Sequence, residues 1–166
     1  GAPCQPFSLG GKHKGHLDSR NMFPEVFRAV RELYPKAILL ENVRGLTRTS
    51  FFPYFQYILD QLSLPDVVIQ TNESWQDHHL RIIKELKNNT HDLKRSYEIK
   101  WRCYNTADFG VSQQRHRVFV VGFRKDLGAN WIFPEPTHSE EALLYSQYVS
   151  KEYWNEHEIN PQPVPK

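Results

Sequence analysis

The chain lacks the features that mark secreted, membrane-spanning and disulfide-stapled proteins. It has two cysteines among 166 residues, Cys4 and Cys103, too few for a disulfide framework or a thiolate metal site. No stretch approaches the ~18 consecutive apolar residues of a membrane span, and the first residues show no signal-peptide pattern. These absences favour a protein of a reducing, intracellular compartment with no membrane partner.

Metal-ligand spacing and a dominant charge are also lacking. The eight histidines show no ligand spacing apart from the adjacent pair His78 and His79, so we expect no metal site. The 21 basic and 19 acidic side chains leave a net charge of +2, which does not itself indicate nucleic acid. Local basic clusters either follow phosphates or are simply solvated faces. Their members are Lys12, Lys14, Arg20, Arg115 and Arg117.

What is present predicts an α/β fold. Apolar residues at helical spacing predict a helix over about 22–34, capped by Asp18 or Ser19 after a glycine- and lysine-rich loop at 9–20. The apolar run at 37–40 predicts a buried strand, and a loop, helix and apolar strand in succession are typical of a parallel sheet. Further helices are expected at 51–62, within the polar stretch 65–90 and near 140–149, and further strands at 97–104 and 118–123.

Four side chains are candidates for chemistry. Cys4 is held between prolines, and it is either an inert buried thiol or an aimed nucleophile. Glu41 ends the apolar strand. A carboxylate at this position either caps a helix or forms a salt bridge, or it acts as an acid or base in a cleft. Arg115 and Arg117 lie two apart and face the same way in an extended chain, for anion recognition or for pairing with carboxylates of the fold.

Three short motifs occur along the chain in the same order as in a known protein family. Residues 1–8 read GAPCQPFS, residues 41–43 read ENV after the apolar strand, and residues 113–117 read QQRHR before another strand. Together they resemble the C5 cytosine-specific DNA methyltransferase family, whose hallmarks are G-x-P-C-Q-x-F-S, E-N-V and Q-x-R-x-R. The loop at 8–20 is similar to the mobile catalytic loop of that family, and residues 104–110 are similar to the segment before Q-x-R-x-R.

The resemblance implies a mechanism. A cytosine flipped out of double-stranded DNA would be attacked at C6 by Cys4, while Glu41 holds N3 and the exocyclic amine. C5 would take a methyl group from S-adenosylmethionine, which is covalent catalysis in two steps. Arg115 and Arg117 would steady the cytosine carbonyl, Glu41 or a phosphate, and Lys12, Lys14 and Arg20 would contact the DNA backbone. Supporting positions are Pro3, Gln5, Ser8, Asn42, Val43 and Gln113, of which Pro3 and Ser8 would also touch the cofactor.

The resemblance also implies an organisation. Residues 1–129 are expected to form the catalytic half of a Rossmann-like S-adenosylmethionine-dependent methyltransferase sheet with flanking helices, with an insertion at about 65–96. Residues 130–166 would lead toward a target-recognition domain. The glycine-rich cofactor motif of the family is expected ahead of Gly1, so we expect residues 1–166 alone to be inactive.

The expected protein is a bacterial enzyme of a restriction–modification system, with a cognate endonuclease as possible partner, or a solitary methyltransferase. It would be cytoplasmic or associated with the nucleoid. Two alternatives stay open: an RNA cytosine-C5 methyltransferase on the same scaffold, and a catalytically dead DNA-binding paralogue. A thiol hydrolase is disfavoured because no histidine is visibly paired with an orienting Asn or Asp.

Overall fold

The computed structural model describes residues 21–88 and 91–164 of the chain. In these ranges the helices are α1 (Phe23–Leu33), α2 (Phe52–Ser63), α3 (Trp75–Asn88), α4 (Glu140–Tyr148) and α5 (Glu152–Glu156), and the strands are β1 (Ala37–Val43), β2 (Tyr97–Asn105) and β3 (His116–Arg124). Every helix and strand predicted from the sequence within these ranges is present, with ends shifted by a few residues. The predicted cap of α1 at Asp18 or Ser19 lies outside the described residues.

The chain divides into two compact units. The first comprises the described residues up to Cys103 together with His116–Ile132, and the second comprises Tyr104–Arg115 and the described residues from Phe133 onward. The first unit holds α1, α2, α3, β1, β3 and most of β2. The second holds α4, α5 and the connection between β2 and β3. The prediction of a catalytic part at 1–129 and a tail at 130–166 stays a prediction.

The sheet has three strands in the order β1-β3-β2, and β3 runs antiparallel to β1 with Ala37 opposite Phe123 and Val43 opposite Arg117. At the far end of the sheet the Lys125 N–H donates to the Ser96 carbonyl. This bond sets the end of β3 beside the start of β2, so these two strands are antiparallel as well. The parallel sheet that we predicted is therefore wrong for the neighbouring strands that the structure describes.

The reason for the antiparallel pairing is the short connection between β2 and β3, because neighbouring strands joined by a compact turn run in opposite directions. By contrast, β1 and β2 have the same direction and are joined through α2 and α3, but β3 lies between them. The pattern behind the predicted parallel sheet involved the helix and strand that became α1 and β1, and it carried no information about β3, which lies between β1 and β2.

The core of the first unit lies between the helices and one face of this sheet. Inward-pointing Ile38, Val118 and Val120 are buried together with Phe27 of α1 and Phe55 of α2. Two prolines start the helices on this core: Pro24 lies in the first turn of α1 and Pro53 in the first turn of α2, where a missing N–H costs no helical hydrogen bond. No helix within the described ranges is long and apolar enough to cross a membrane.

Helix α3 is joined to α2 through a buried histidine. The Nε2 atom of His78 lies 2.7 Å from the Val67 carbonyl and its Nδ1 lies 3.0 Å from the Tyr57 hydroxyl. Since a carbonyl only accepts, Nε2 carries the proton and Nδ1 accepts from Tyr57. Burial lowers the pKa of His78, because the charged imidazolium would lose its hydration. The neutral ring therefore uses one nitrogen atom to hold α3 to α2 and the other to hold α3 to the loop that follows α2.

Candidate active site

Strand β1 presents Glu41 on the opposite face from the core. Side chains alternate along a strand, and Ile38 and Asn42 are buried while Leu39 and Glu41 are exposed. The Glu41 side chain keeps half of its surface exposed, at 50%. The apolar residues that bury the inner face of the strand therefore also fix which way its carboxylate points.

Arg117 of β3 meets this carboxylate. Its Nε lies 2.6 Å from Glu41 Oε1, and its Nη1 donates to the His116 carbonyl at 2.8 Å. Val43 is the residue directly opposite Arg117, so Glu41 and Arg117 are diagonal neighbours on one face of the antiparallel pair. The Arg117 side chain is 20% exposed, which leaves the pair open on the carboxylate side.

The pair leaves the Glu41 carboxylate accessible. Within the described part of the chain, Arg117 is the one side chain that forms an ion pair with Glu41, and the 2.6 Å contact joins its Nε to Oε1. The Glu41 side chain is still 50% exposed, and a carboxylate can accept several hydrogen bonds, so a ligand can reach it while Arg117 contacts it. Such an arrangement orients an acceptor for a donor that comes from outside the protein.

Asn42 and Val43 follow Glu41 and tie the end of β1. Asn42 is 6% exposed, and its Oδ1 accepts from the Val43 N–H at 2.9 Å. A buried amide of this kind needs hydrogen-bond partners, and this local bond fixes the chain where β1 passes into the turn Arg44–Thr47. Glu41, Asn42, Val43 and Arg117 are thus brought together in the first unit.

Arg115 and Gln113 lie on the connection between β2 and β3, in the second unit. Both are exposed. The Arg115 N–H donates to Asn105 Oδ1 at 3.0 Å, and the Thr106 hydroxyl donates to the Gln113 carbonyl at 2.6 Å. Among the described residues no carboxylate pairs with the Arg115 guanidinium. The sequence motif is therefore divided, with Arg117 engaged by Glu41 and Arg115 presented on a loop that is braced by its own hydrogen bonds.

Several predicted site residues lie outside the described residues. These are Pro3, Cys4, Gln5, Ser8, Lys12, Lys14 and Arg20. Their predicted roles in nucleophilic attack, cofactor contact and DNA contact stay predictions. Within the described ranges, no group of three or more His, Cys, Asp or Glu side chains could hold a metal ion.

The sequence interpretation missed two arginines next to this site. Arg44 and Arg48 line a cavity of about 590 Å³ together with His116 and Arg117. The signal was available, since Arg44 directly follows the ENV motif and Arg48 lies four positions after Arg44. It was overlooked because a basic residue in a turn is usually only solvated.

A mixed α/β layer with an oriented, half-exposed carboxylate at a strand end is typical of an enzyme domain. Comparison with known proteins gives the family. The sequence model described as C-5 cytosine-specific DNA methylase matches residues 1–65 and 72–161. The chain belongs to this family.

Individual relatives are bacterial. The chain is 39% identical over 139 residues to Type II methyltransferase M.AquIA of Picosynechococcus. This match covers 83% of this chain and 46% of that protein. It is 34% identical over 140 residues to Type II methyltransferase M.NgoMIV of Neisseria gonorrhoeae, covering 84% of this chain and 35% of that protein. The chain thus spans less than half the length of these relatives.

Among solved structures, the chain is similar to the methyltransferase EhMeth of Entamoeba histolytica. The TM-score is 0.43, the sequence identity is 21%, and the match covers 82% of this chain and 34% of that one.

Proposed function

We propose that the protein carrying this chain is a DNA (cytosine-5-)-methyltransferase that forms a covalent adduct between Cys4 and C6 of a flipped cytosine. The observation that carries the proposal is the Glu41–Arg117 pair, in which a guanidinium lies 2.6 Å from a carboxylate that remains half-exposed. Membership of the C-5 cytosine methylase family supports the same chemistry. Because the chain covers less than half of its relatives, the activity is assigned to the whole protein.

In the proposed reaction, the Cys4 thiolate forms the Sγ–C6 bond and the electron pair of the C5–C6 double bond moves to C5, which becomes the nucleophile for the methyl group. The accessible carboxylate of Glu41 accepts from the exocyclic amine or from a protonated N3, so it favours the ring form that takes the nucleophile. S-adenosylmethionine supplies the methyl group for C5. Loss of the C5 proton then restores the double bond and breaks the Sγ–C6 bond.

The other residues have positioning roles in this proposal. Arg117 orients Glu41, and Arg115 and Gln113 contact the substrate or a nearby phosphate from their braced loop. Lys12, Lys14 and Arg20 follow the DNA backbone. Pro3 and Ser8 contact the cofactor, Gln5 supports their turn, and Asn42 and Val43 hold the end of β1.

The relatives are named as Type II methyltransferases, and they are the basis for the proposed substrate and biological role. We propose double-stranded DNA as substrate, a Rossmann-like sheet in the complete domain and a restriction–modification role with a cognate endonuclease. That residues 1–166 alone lack activity stays a prediction.

The test is a covalent trap. The full-length protein is incubated with S-adenosylmethionine and duplex DNA that contains 5-fluorocytosine, whose C5 cannot lose a proton, so the adduct persists. We expect a DNA adduct on a denaturing gel that is lost in Cys4→Ser. Cys103→Ser is the matched control: Cys103 lies half-buried in β2, burial raises the pKa of its thiol, and its replacement should leave the adduct intact.

The other results decide against the proposal. An adduct formed only on RNA indicates the RNA cytosine methyltransferase. A protein that binds duplex DNA and forms no adduct on either nucleic acid indicates the inactive DNA-binding paralogue.

A further inference from the structure

A basic cavity adjoins the Glu41–Arg117 pair. It has a volume of about 590 Å³, and none of the described residues that line it is acidic. Its charged and hydroxyl-bearing lining residues are Arg44, Thr47, Arg48, Thr49, His116 and Arg117. All of them belong to the first unit. The lining thus includes the cations Arg44 and Arg48 and the Thr49 hydroxyl, which are donors for an anion.

Hydrogen bonds hold the backbone segment that carries these donors. The Arg48 carbonyl accepts from the Phe52 N–H at 2.8 Å and from the Phe51 N–H at 2.9 Å, so Arg48 begins the turn that leads into α2. Its own N–H donates to the Gly45 carbonyl at 3.3 Å, which closes the preceding turn Arg44–Thr47. The Thr47 hydroxyl donates to the Arg44 carbonyl at 2.9 Å. Both arginine positions are therefore set by the passage from β1 into α2.

The arginines that line the cavity differ in whether a carboxylate pairs with them. Arg117 is paired with Glu41 at 2.6 Å. Arg44 is exposed and Arg48 is half-buried, and within residues 21–88 and 91–164 neither forms an ion pair. Two arginines thus line one cavity without an ion-pair partner in the described part of the chain, beside the Glu41 carboxylate that we propose contacts the substrate.

We propose that Arg44 and Arg48 bind phosphate groups of the DNA backbone next to the flipped cytosine. This inference rests on the proposed function and assigns a DNA contact to residues outside the motifs. Guanidinium forks match phosphate oxygens in a bidentate geometry. Among the described residues no Phe, Tyr or Trp lines the cavity, and these rings are the side chains on which bases most often stack.

Phosphate contacts are independent of base sequence and are recognised by their dependence on salt. Each phosphate neutralised in B-DNA contributes about 0.9 to the slope of log K against log salt concentration. Removing two such contacts should therefore reduce the slope by about 1.8. Binding to the target duplex and to an unrelated duplex should weaken alike.

The experiment measures DNA affinity of the full-length protein by fluorescence anisotropy over a range of salt concentrations. Arg44→Gln/Arg48→Gln is compared with wild type and with Lys84→Gln/Lys87→Gln, which removes the same charge from two exposed positions of α3. We expect the reduced slope only in the arginine pair. Arg44→Lys/Arg48→Lys keeps both charges and should keep the slope. If the paired glutamine variant does not fold, Arg44→Gln at the exposed position should still lower the slope by about 0.9.

Three results would overturn the proposal. An unchanged slope, or one reduced equally in the α3 control, shows that no phosphate is bound here. Weakening confined to the target duplex points to base recognition. An unchanged slope together with weaker S-adenosylmethionine binding by calorimetry assigns the cavity to the carboxylate of the cofactor.

Failure of the proposed function is read separately, from the 5-fluorocytosine adduct of the wild-type protein. An absent adduct with a reduced slope in the arginine variant rejects the methyltransferase mechanism and keeps the phosphate contacts. A wild-type adduct with an unchanged slope in the arginine variant supports the methyltransferase mechanism and rejects the phosphate contacts.

Discussion

At the scale of the residue, the informative contact is the one between Arg117 and Glu41. Half-exposed ion pairs contribute only about 0–1 kcal/mol to stability, so the 2.6 Å contact does little to hold the fold. Its main effect is geometric, because a guanidinium on Oε1 limits the rotation of the carboxylate. We therefore treat Arg117 as a positioning residue and Glu41 as the catalytic one.

This assignment predicts unequal and non-additive losses. Glu41→Gln should slow single-turnover methyl transfer by about 10²–10⁴-fold. Arg117→Leu should slow it by about 10²-fold, through misplacement of Glu41, and should change the free energy of unfolding in urea by no more than about 1 kcal/mol. The double variant should be no slower than Glu41→Gln, since Arg117 acts through Glu41. Additive losses would instead mean that Arg117 contacts the substrate directly.

At the scale of the element, the connection between β2 and β3 is organised around a glycine. Gly110 has φ +84°, and a Cβ built there would lie 2.9 Å from Cε1 of His138. Its N–H donates to the Ala107 carbonyl, while Asn105 Oδ1 holds the N–H of Arg115. A glycine is needed here for its backbone conformation and for the approach of the His138 ring.

Gly110→Ala should therefore loosen the loop that presents Arg115. The left-handed conformation costs an alanine about 1–2 kcal/mol, and the His138 ring must move in addition. Gly128→Ala is the matched control, because Gly128 has φ +55° with nothing within 4 Å of its Cβ position. Hydrogen exchange should show faster exchange of the Arg115 amide in Gly110→Ala only. Equal effects of both variants on stability, with unchanged Arg115 exchange, would contradict the role given to His138.

At the scale of the whole molecule, His78 makes stability depend on pH. Its folded pKa is lowered by burial, so below the unfolded value of about 6.5 the unfolded chain binds more protons than the folded one. The free energy of unfolding should therefore fall as pH decreases from about 6.5 toward the folded pKa, and should level off below it. Above about pH 7, His78 should make no pH-dependent contribution.

The measurement compares urea unfolding at several pH values in two backgrounds. The neighbouring His79 lies 2.7 Å from Asp60, and the reference protein is His79→Gln so that only the buried ring differs between the two backgrounds. Its stability should fall between pH 7 and pH 5 more steeply than that of His78→Gln/His79→Gln. Parallel curves would show that the buried ring does not control this dependence.

Much of this architecture was predictable, and the exceptions have physical causes. Periodicity located α1 and α2 because their buried faces repeat at helical spacing, and it located β3 because it is a run of β-prone residues. The order of the strands depends on which edges meet in three dimensions, which no local pattern encodes. The motifs placed Glu41 and Arg117 among the site candidates but left open which partner each arginine takes. Only the register of β1 on β3 decided that Arg117, rather than Arg115, meets the carboxylate.

The position of β3 between β1 and β2 has a consequence for synthesis of the protein. Glu41 emerges 76 residues before Arg117 (117 − 41), which at about 5–20 residues per second is a delay of about 4–15 s. Throughout that time the nascent chain holds the carboxylate without its guanidinium, and β1 without its neighbour. Completion of the sheet and completion of the site are therefore the same event, and a chain interrupted before residue 117 has neither.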